Sequence, residues 1–375
     1  MKRLTFIILC LESAVLSFNI AASAALVPSI ASEFALSQFL VGKMIWLFML
    51  PYGIAALIYG PLVRVIDARK VELICLLAFS LANLLAAFSP DIFTLFAARL
   101  FMGLFGASVI PLGLILIARH LPYEKRGRYV GIFFGTMFFS SLSGLFLSGL
   151  LSWRLIFFIP AVVGLLATCA VYFYLPSFKG DTSDGGFQVR YLSCFKNKKI
   201  SYIFTYIFVV SLLFHGVQQW LAVFFSKAHH LGQLVISSLI TLTSLSGVFG
   251  ELLGGFFSDL LGRIRTANVG IFLMTLGVFA LILKLPIWIL AIIMFIWGFG
   301  WTLNHAGVST ILTDLPEEFL NEAASLNSGV RFLSGGLGVA IGGVILQKSF
   351  NLGFILLGLS LIILRLFSRV LLADR

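Results

Sequence analysis

A helix-length window moved along the chain finds apolar stretches near residues 5–29, 40–63, 72–89, 92–118, 128–151, 155–175, 201–225, 234–257, 266–285, 287–313, 322–346 and 351–371. Each is close to the roughly 20 residues that a bilayer-crossing helix needs. All read as helices, because an open strand edge leaves backbone groups unsatisfied in hydrocarbon and no stretch shows the alternation of an outer-membrane barrel. The pattern predicts an all-α membrane protein with twelve transmembrane helices. The longest polar stretch, 176–199, holds GDTSDGG and then the basic FKNKK. It reads as a cytoplasmic linker between an N-terminal half, 1–175, and a C-terminal half, 200–375.

Composition agrees with this reading. Of 375 residues, 60% are hydrophobic and 11% charged, with 39 Phe and a mean hydropathy of +1.08. An ordinary soluble domain carries about 25% charged residues. The net charge of +11 raises the question of nucleic acid, but the basic residues sit in short clusters between apolar runs rather than on one polar face. With the N-terminus in the cytoplasm, nineteen Lys and Arg fall inside, among them Arg3, Arg69, Lys70, Arg126, Lys198, Arg263 and Arg369. Only Lys43, Arg154, Lys227, Lys284 and Lys348 fall outside. This positive-inside bias predicts that both termini are cytoplasmic. The exception is the acidic connection after the tenth helix, with Asp314, Glu317, Glu318 and Glu322. The first 26 residues mimic a signal peptide, yet Glu12 and Asn19 suit a retained helix with a polar inner face better. The four cysteines lack metal or redox spacing, and His229-His230 has no partner ligands, so no metal or cofactor is expected.

The halves also match each other. Gly60-Pro-Leu answers Gly255-Phe-Phe 195 residues on, and Leu121-Pro122 answers Leu315-Pro316 194 residues on. Such spacing supports a six-plus-six duplication.

The loop after the eighth helix reads GGFFSDLLGRIR, with Gly255, Asp259, Gly262 and Arg263 in the order glycine, aspartate four later, then glycine-arginine. The first-half counterpart, GPLVRVIDARK, keeps Gly60, Arg69 and Lys70, with Arg64 in place of aspartate and Asp67 in place of glycine. The fourth helix carries AARLFMGLFGAS with Arg99 buried in it, and LPYEKRGRYVG and SWRLIFFIP follow. On these motifs the chain resembles the major facilitator superfamily of secondary transporters along nearly its whole length. The resemblance implies halves related by a pseudo-two-fold axis that rock about a midplane site. It also implies gating roles for Gly60, Asp67, Arg69, Gly255, Asp259, Gly262 and Arg263, and a link between Arg99 and proton movement. Drug:proton antiporters of this superfamily carry a glycine-proline pair on the fifth helix, where this chain has Ser140 and Ser141.

Six ionisable residues lie inside expected helices: Glu12, Arg99, His215, Glu251, His305 and Arg331. Such residues are costly in lipid and are functional candidates by default. At about 1.5 Å per residue, Glu12, Glu251, His305 and Arg331 share one layer, roughly 10–14 Å from the cytoplasmic boundary. Glu251 and Arg331 are a candidate ion pair. Glu12 has no cation nearby in sequence, so it is either protonated in an apolar niche or paired across the cavity. The expected proton-coupling set is therefore Glu12, Arg99, Glu251, His305 and Arg331. Phe18, Asn19, His215, Gln218, Gln219, Trp301 and Asn304 are the expected substrate-binding set, with Trp220, Trp297 and Thr302 as further cavity candidates.

The sequence thus predicts a monomeric inner-membrane transporter that exports small amphipathic or drug-like molecules in exchange for protons. The alternative is proton-coupled or facilitative uptake of a sugar or organic acid. An enzyme would need a clustered nucleophile, base or metal set, which is absent from the sequence. A glycine loop followed by lysine, the mark of ATP use, is absent too, as is a soluble signalling domain of the kind a sensor carries.

Overall fold

The computed structural model describes residues 3–120, 123–177, 191–315 and 317–373. Leu121, Pro122, Pro316 and most of the expected linker, 178–190, lie outside the described residues, as do the side chains of Arg64, Glu124, Glu317, Glu318 and Glu322. The chain divides into two compact units, Met1–Val189 and Arg190–Arg375.

In the first unit, α1 (Arg3–Ala25) breaks at Leu26 and continues as α2 (Val27–Glu33), which opens on Pro28. Next come α3 (Gln38–Val41), α4 (Lys43–Val65), α5 (Ala68–Ala87), α6 (Ile92–Gly106), α7 (Val109–His120), α8 (Tyr123–Leu147) and α9 (Trp153–Tyr174). The second unit holds α10 (Tyr191–Lys196), α11 (Lys198–Gln218), α12 (Leu221–Ala228), α13 (Gln233–Leu261), α14 (Arg263–Ala280), α15 (Ile287–Thr313), α16 (Glu317–Lys348) and α17 (Phe350–Leu372).

Among the described residues, eleven helical segments are long and apolar enough to cross a bilayer, against the twelve expected. The difference is α14, whose 18 residues include Arg263, Arg265 and Asn268 near its start. Element ends also differ from the hydropathy reading. Gly60-Pro61-Leu62 lies inside α4 rather than after it, and the basic end of the expected linker is helical. There Asn197 caps α11, accepting from the backbone N–H of Lys199 at 3.0 Å and of Ile200 at 3.3 Å. The exterior is rich in exposed apolar side chains, such as Phe93, Phe139, Leu166, Phe173 and Leu366, as a lipid-facing surface requires.

The units share one packing pattern. In the first, α1 packs on α8, α4 on α6 and α5 on α9; in the second, α11 packs on α16, α13 on α15 and α14 on α17. Several glycines approach backbone carbonyls of the facing helix closely. A Cβ placed on Gly103 would fall under 3.0 Å from the carbonyl of Phe48, and one on Gly298 equally close to that of Thr243. Both members of the second pair stand 195 residues after those of the first (298 − 103, 243 − 48). Likewise Gly144 meets the carbonyl of Phe18 and Gly338 that of Leu212, each 194 on (338 − 144, 212 − 18). The spacing first seen in two loop motifs recurs at the points where helices cross. Small residues allow this, since transmembrane helices associate through close backbone approach rather than a hydrophobic drive.

One clamp ties helix ends of the first unit together, with Glu33 outside the spanning segments and Trp153 and Arg154 at the start of one. Glu33, at the end of α2, accepts from Arg154 Nη2 at 2.8 Å and from the Trp153 indole N–H. Arg154 Nη1 also donates to the carbonyls of Ala87 at 2.9 Å and Ser89 at 3.1 Å. The SWR motif thereby joins α2, α5 and α9. Burial pushes the Glu33 carboxyl up, but the donors Arg154 and Trp153 outweigh it and hold it below its ordinary value. A carboxylate lowered by folding stabilises the fold above its unfolded value, near 4.3, and loses that contribution as pH falls through the folded one. The thermal midpoint of Glu33→Gln is therefore expected below that of wild type at neutral pH. The gap should close on acidification; a pH-independent gap would contradict the clamp.

Candidate functional site

Candidate residues gather in two places, one in each unit. In the first unit Arg99 is 1% exposed. Its Nη1 donates to Asn19 Oδ1 at 2.6 Å and its Nε to the carbonyl of Met44 at 3.2 Å, and its guanidinium lies 4.4 Å from the Phe48 ring centre. Asn19 passes the chain on through Nδ2 to Asn83 Oδ1 at 2.7 Å, and Asn83 donates to the carbonyl of Phe79 at 2.9 Å. No carboxylate joins this network among the described residues. It is a charge dispersed over amides, a carbonyl and an aromatic face, holding α1, α4, α5 and α6 in register. Asn19 is thus committed to Arg99, and Phe18 beside it supplies the carbonyl under Gly144.

Glu12 is fully buried on α1, and the carboxyl that neighbours it belongs to Glu72 on α5, also fully buried. No cation lies within 4 Å of Glu12 among the described residues. Glu72 was not among the sequence candidates. The hydropathy window starts the third helix at 72, whereas α5 begins at Ala68 with Asp67 as its cap, accepting from the Arg69 N–H at 2.9 Å. The cap signal Asp67, if read, places Glu72 a turn inside the helix.

In the second unit Phe214 lies parallel to two indoles, with ring centres 4.0 Å from Trp301 at 7° and 5.2 Å from Trp297 at 15°. His215 meets Trp301 edge-on at 5.7 Å, and Gln219 Nε2 stands 3.4 Å from His215 Nδ1. Trp301 also faces His305 at 6.2 Å and the Arg331 guanidinium at 5.7 Å. His305 Nδ1 lies 2.7 Å from Glu251 Oε1, with both side chains about a third exposed (30% and 31%). The expected Glu251–Arg331 ion pair is not formed among the described residues. Arg331 Nε instead donates to Asn327 Oδ1 at 2.8 Å, and its Nη1 and Nη2 are buried without partners. Six expected residues, His215, Gln219, Glu251, Trp301, His305 and Arg331, are thus brought into one cluster. Asn327 and Phe214 are its additions.

Other candidates lie elsewhere. Gln218 bridges Trp297 Nε1 at 2.8 Å and Thr243 Oγ1 at 3.1 Å, so it buttresses the aromatic shelf from behind. Asn304 is fully buried and donates to Tyr206 Oη and, at 3.0 Å, to the carbonyl of Ala267. Trp220 donates to the carbonyl of Val339 at 2.9 Å, and Thr302 sits under Gly250.

The loop motifs are built from helix ends. Gly262, at φ 88°, is the junction between α13 and α14, a conformation that L side chains rarely adopt. Arg263 forms an ion pair with Asp314, the C-cap of α15, while Asp259 and Gly255 are exposed. In the first unit Asp67 caps α5 and accepts from Ser177 Oγ, and Arg69 donates to the carbonyl of Tyr172. Gly60 is half-buried in the penultimate turn of α4. Among the described residues no group of three or more His, Cys, Asp or Glu is arranged to hold a metal.

Comparison with known proteins extends this geometry. Residues 9–343 match the sequence profile of the Major Facilitator Superfamily. The chain is 23% identical over 347 residues to the uncharacterized MFS-type transporter YbcL of Bacillus subtilis, covering 89% of this chain and 88% of that one. It is also 23% identical over 318 residues to the inner membrane transport protein YdhP of Escherichia coli, at 81% and 80% coverage. A shorter match, 30% over 145 residues, is to the puromycin resistance protein pur8 of Streptomyces alboniger, covering 37% of this chain and 29% of that one. In fold it is similar to a bacterial homolog of the human lysosomal transporter Spinster in an inward-facing, occupied conformation. The TM-score is 0.79 at 14% identity, covering 98% of this chain and 96% of that one. With a profile match over nearly the whole length and an all-helical fold shared with solved transporters, this chain belongs to the major facilitator superfamily and is a multi-pass membrane transporter, not an enzyme.

Proposed function

We propose that this transporter exports small amphipathic molecules in exchange for protons, by alternating access, as a monomer in a bacterial cytoplasmic membrane. In this reading α14 completes twelve crossings and both termini are cytoplasmic. The observation that carries the substrate class is the aromatic shelf of Phe214, Trp297 and Trp301, with the partly exposed Glu251–His305 pair at its edge. Flat ring faces take up apolar bodies of varied outline, and an adjacent ionisable pair suits a polar or cationic end. The resistance protein pur8 among its relatives supports an export direction. The proton belongs to Glu12, a carboxyl sealed from water with no cation within 4 Å among the described residues.

The alternative, uptake of an organic acid, has one observation in its favour. The Arg331 amino groups are buried and unpartnered beside the shelf, and could take a carboxylate.

Purified protein in liposomes with an imposed pH gradient decides between them. Puromycin and lipophilic cations should accumulate against the gradient, while sugars and organic acids should not. Glu12→Gln should abolish pH-driven accumulation yet retain gradient-free exchange of labelled for unlabelled substrate. Gradient-driven transport surviving in Glu12→Gln would remove Glu12 from the coupling; organic acids as the sole substrates would favour the alternative.

A further inference from the structure

We propose that the proton site of this transporter is a two-carboxyl pair, Glu12 on α1 and Glu72 on α5, which binds and releases one proton as a unit. This deepens the proton-coupled reading above and rests on it for its transport role. Both side chains are 0% exposed, the two carboxyls are neighbours that act on each other, and none of the four oxygens receives a hydrogen bond. Ionised carboxyls only accept hydrogen bonds, so two of them face to face leave each other unsatisfied. A proton between them turns one into a donor and satisfies both. Close carboxyls in a dry site cannot both ionise, and their titration belongs to the pair rather than to either residue.

The surroundings reinforce this. Leu11 and Leu73, next to the two acids in sequence, pack against a cluster that includes Phe6, Leu9, Leu76, Leu116 and Phe133. Among the described side chains no cation lies within 4 Å of either carboxyl. On α1 the nearest titratable group in sequence is Cys10, a half-buried free thiol. From α4, Tyr59 spends its proton on the carbonyl of Leu104 at 3.0 Å, and Cys75 of α5 donates to Tyr59 at 3.3 Å. Arg99 of α6 is held by Asn19, and Glu33 of α2 by Arg154. On α8, Tyr129 packs edge-on against Phe6, and Lys125, Arg126 and Arg128 stand exposed or half-exposed in its first turns. On α9, Cys169 is exposed and Tyr172 engages Arg69; the described side chains of α7 carry no titratable group.

Loaded, the pair holds two protons in reciprocal O–H···O bonds and is neutral. On release, in the state of the alternating-access cycle that admits water to the pair, one O–H bond breaks, its electrons stay on oxygen and the proton passes to that water. The remaining proton is shared, and the pair carries one negative charge. Glu72 is therefore a coupling residue equal in rank to Glu12.

Infrared difference spectroscopy of the full-length protein, stepped through pH without substrate, tests this on wild type, E12Q, E72Q and the double variant. A carboxylic-acid C=O band should persist at neutral pH in wild type, shift in frequency in each single variant and vanish in the double. In the liposome assay E72Q should uncouple transport as E12Q does. Lack of the neutral-pH band in wild type would overturn the pair, whatever the folding of the variants. So would a component left at unchanged frequency when its partner is replaced, or loss of the band on adding sodium at fixed pH. The spectrum needs no substrate, so a shared band without pH-driven transport would overturn the coupling reading and leave the pair standing.

Discussion

Gly338→Val is expected to yield no stably folded protein. The Cβ alone would fall under 3.0 Å from the carbonyl of Leu212, and one turn later Gly342 meets the carbonyl of Gly216 in the same way. Two successive turns of α16 therefore rest directly on the α11 backbone, and neither partner is a side chain that can rotate away. Ordinary overpacking costs about 1–3 kcal/mol because neighbouring side chains move. Here whole helices must separate, and the loss should exceed that range even for alanine. Gly298→Val, against the carbonyl of Thr243, should fail in the same way. Gly255→Ala is the control, since nothing lies within 4 Å of a Cβ there. Size-exclusion profiles and thermal midpoints in detergent report the outcome. A monodisperse Gly338→Val protein with a wild-type midpoint would show that the α11–α16 contact does not hold the second unit together.

The second large effect concerns Asn19. Asn19→Leu removes the acceptor of a charge-assisted bond to Arg99 and the donor to Asn83, leaving a buried cation with a carbonyl, a thioether and an aromatic face. Bonds to charged groups contribute about 1.5–3 kcal/mol, and stranding a buried charge costs about 3–5. A drop in thermal midpoint of roughly 10 °C follows if the protein behaves like a domain of comparable half-size. Asn19→Asp keeps an acceptor for Arg99 and should fall between wild type and leucine. If leucine and wild type melt together, the network is not holding α1 to α6; if aspartate is no better than leucine, the acceptor is not what matters.

Much of this architecture was legible from hydropathy alone, because lipid imposes length and apolarity on every spanning helix. What was lost was lost at helix ends and in partnerships. Polar first turns hid the start of α5 and with it Glu72, and Arg263 and Arg265 belong to α14 although they read as loop. Residue type nominated Glu251 and His305, but nothing in a separation of 54 positions (305 − 251) says that they touch, or that Arg331 turns to Asn327. Asn304 shows the limit most directly. It is adjacent to His305, yet one step along a helix rotates a side chain by about 100°, which carries Asn304 inward to Tyr206 while His305 stays at the shelf.

The glycine crossings bear on how far such a sequence can drift. Each needs one residue without a side chain on one helix and, on the other, only a carbonyl, which every residue supplies. As floors for these crossings Phe18, Phe48, Leu212 and Thr243 contribute only their carbonyls, so a crossing by itself places no demand on their side chains. A lineage can replace most of its letters while keeping every crossing, and so arrive at new cargo on an old frame with little ancestry left visible in its text.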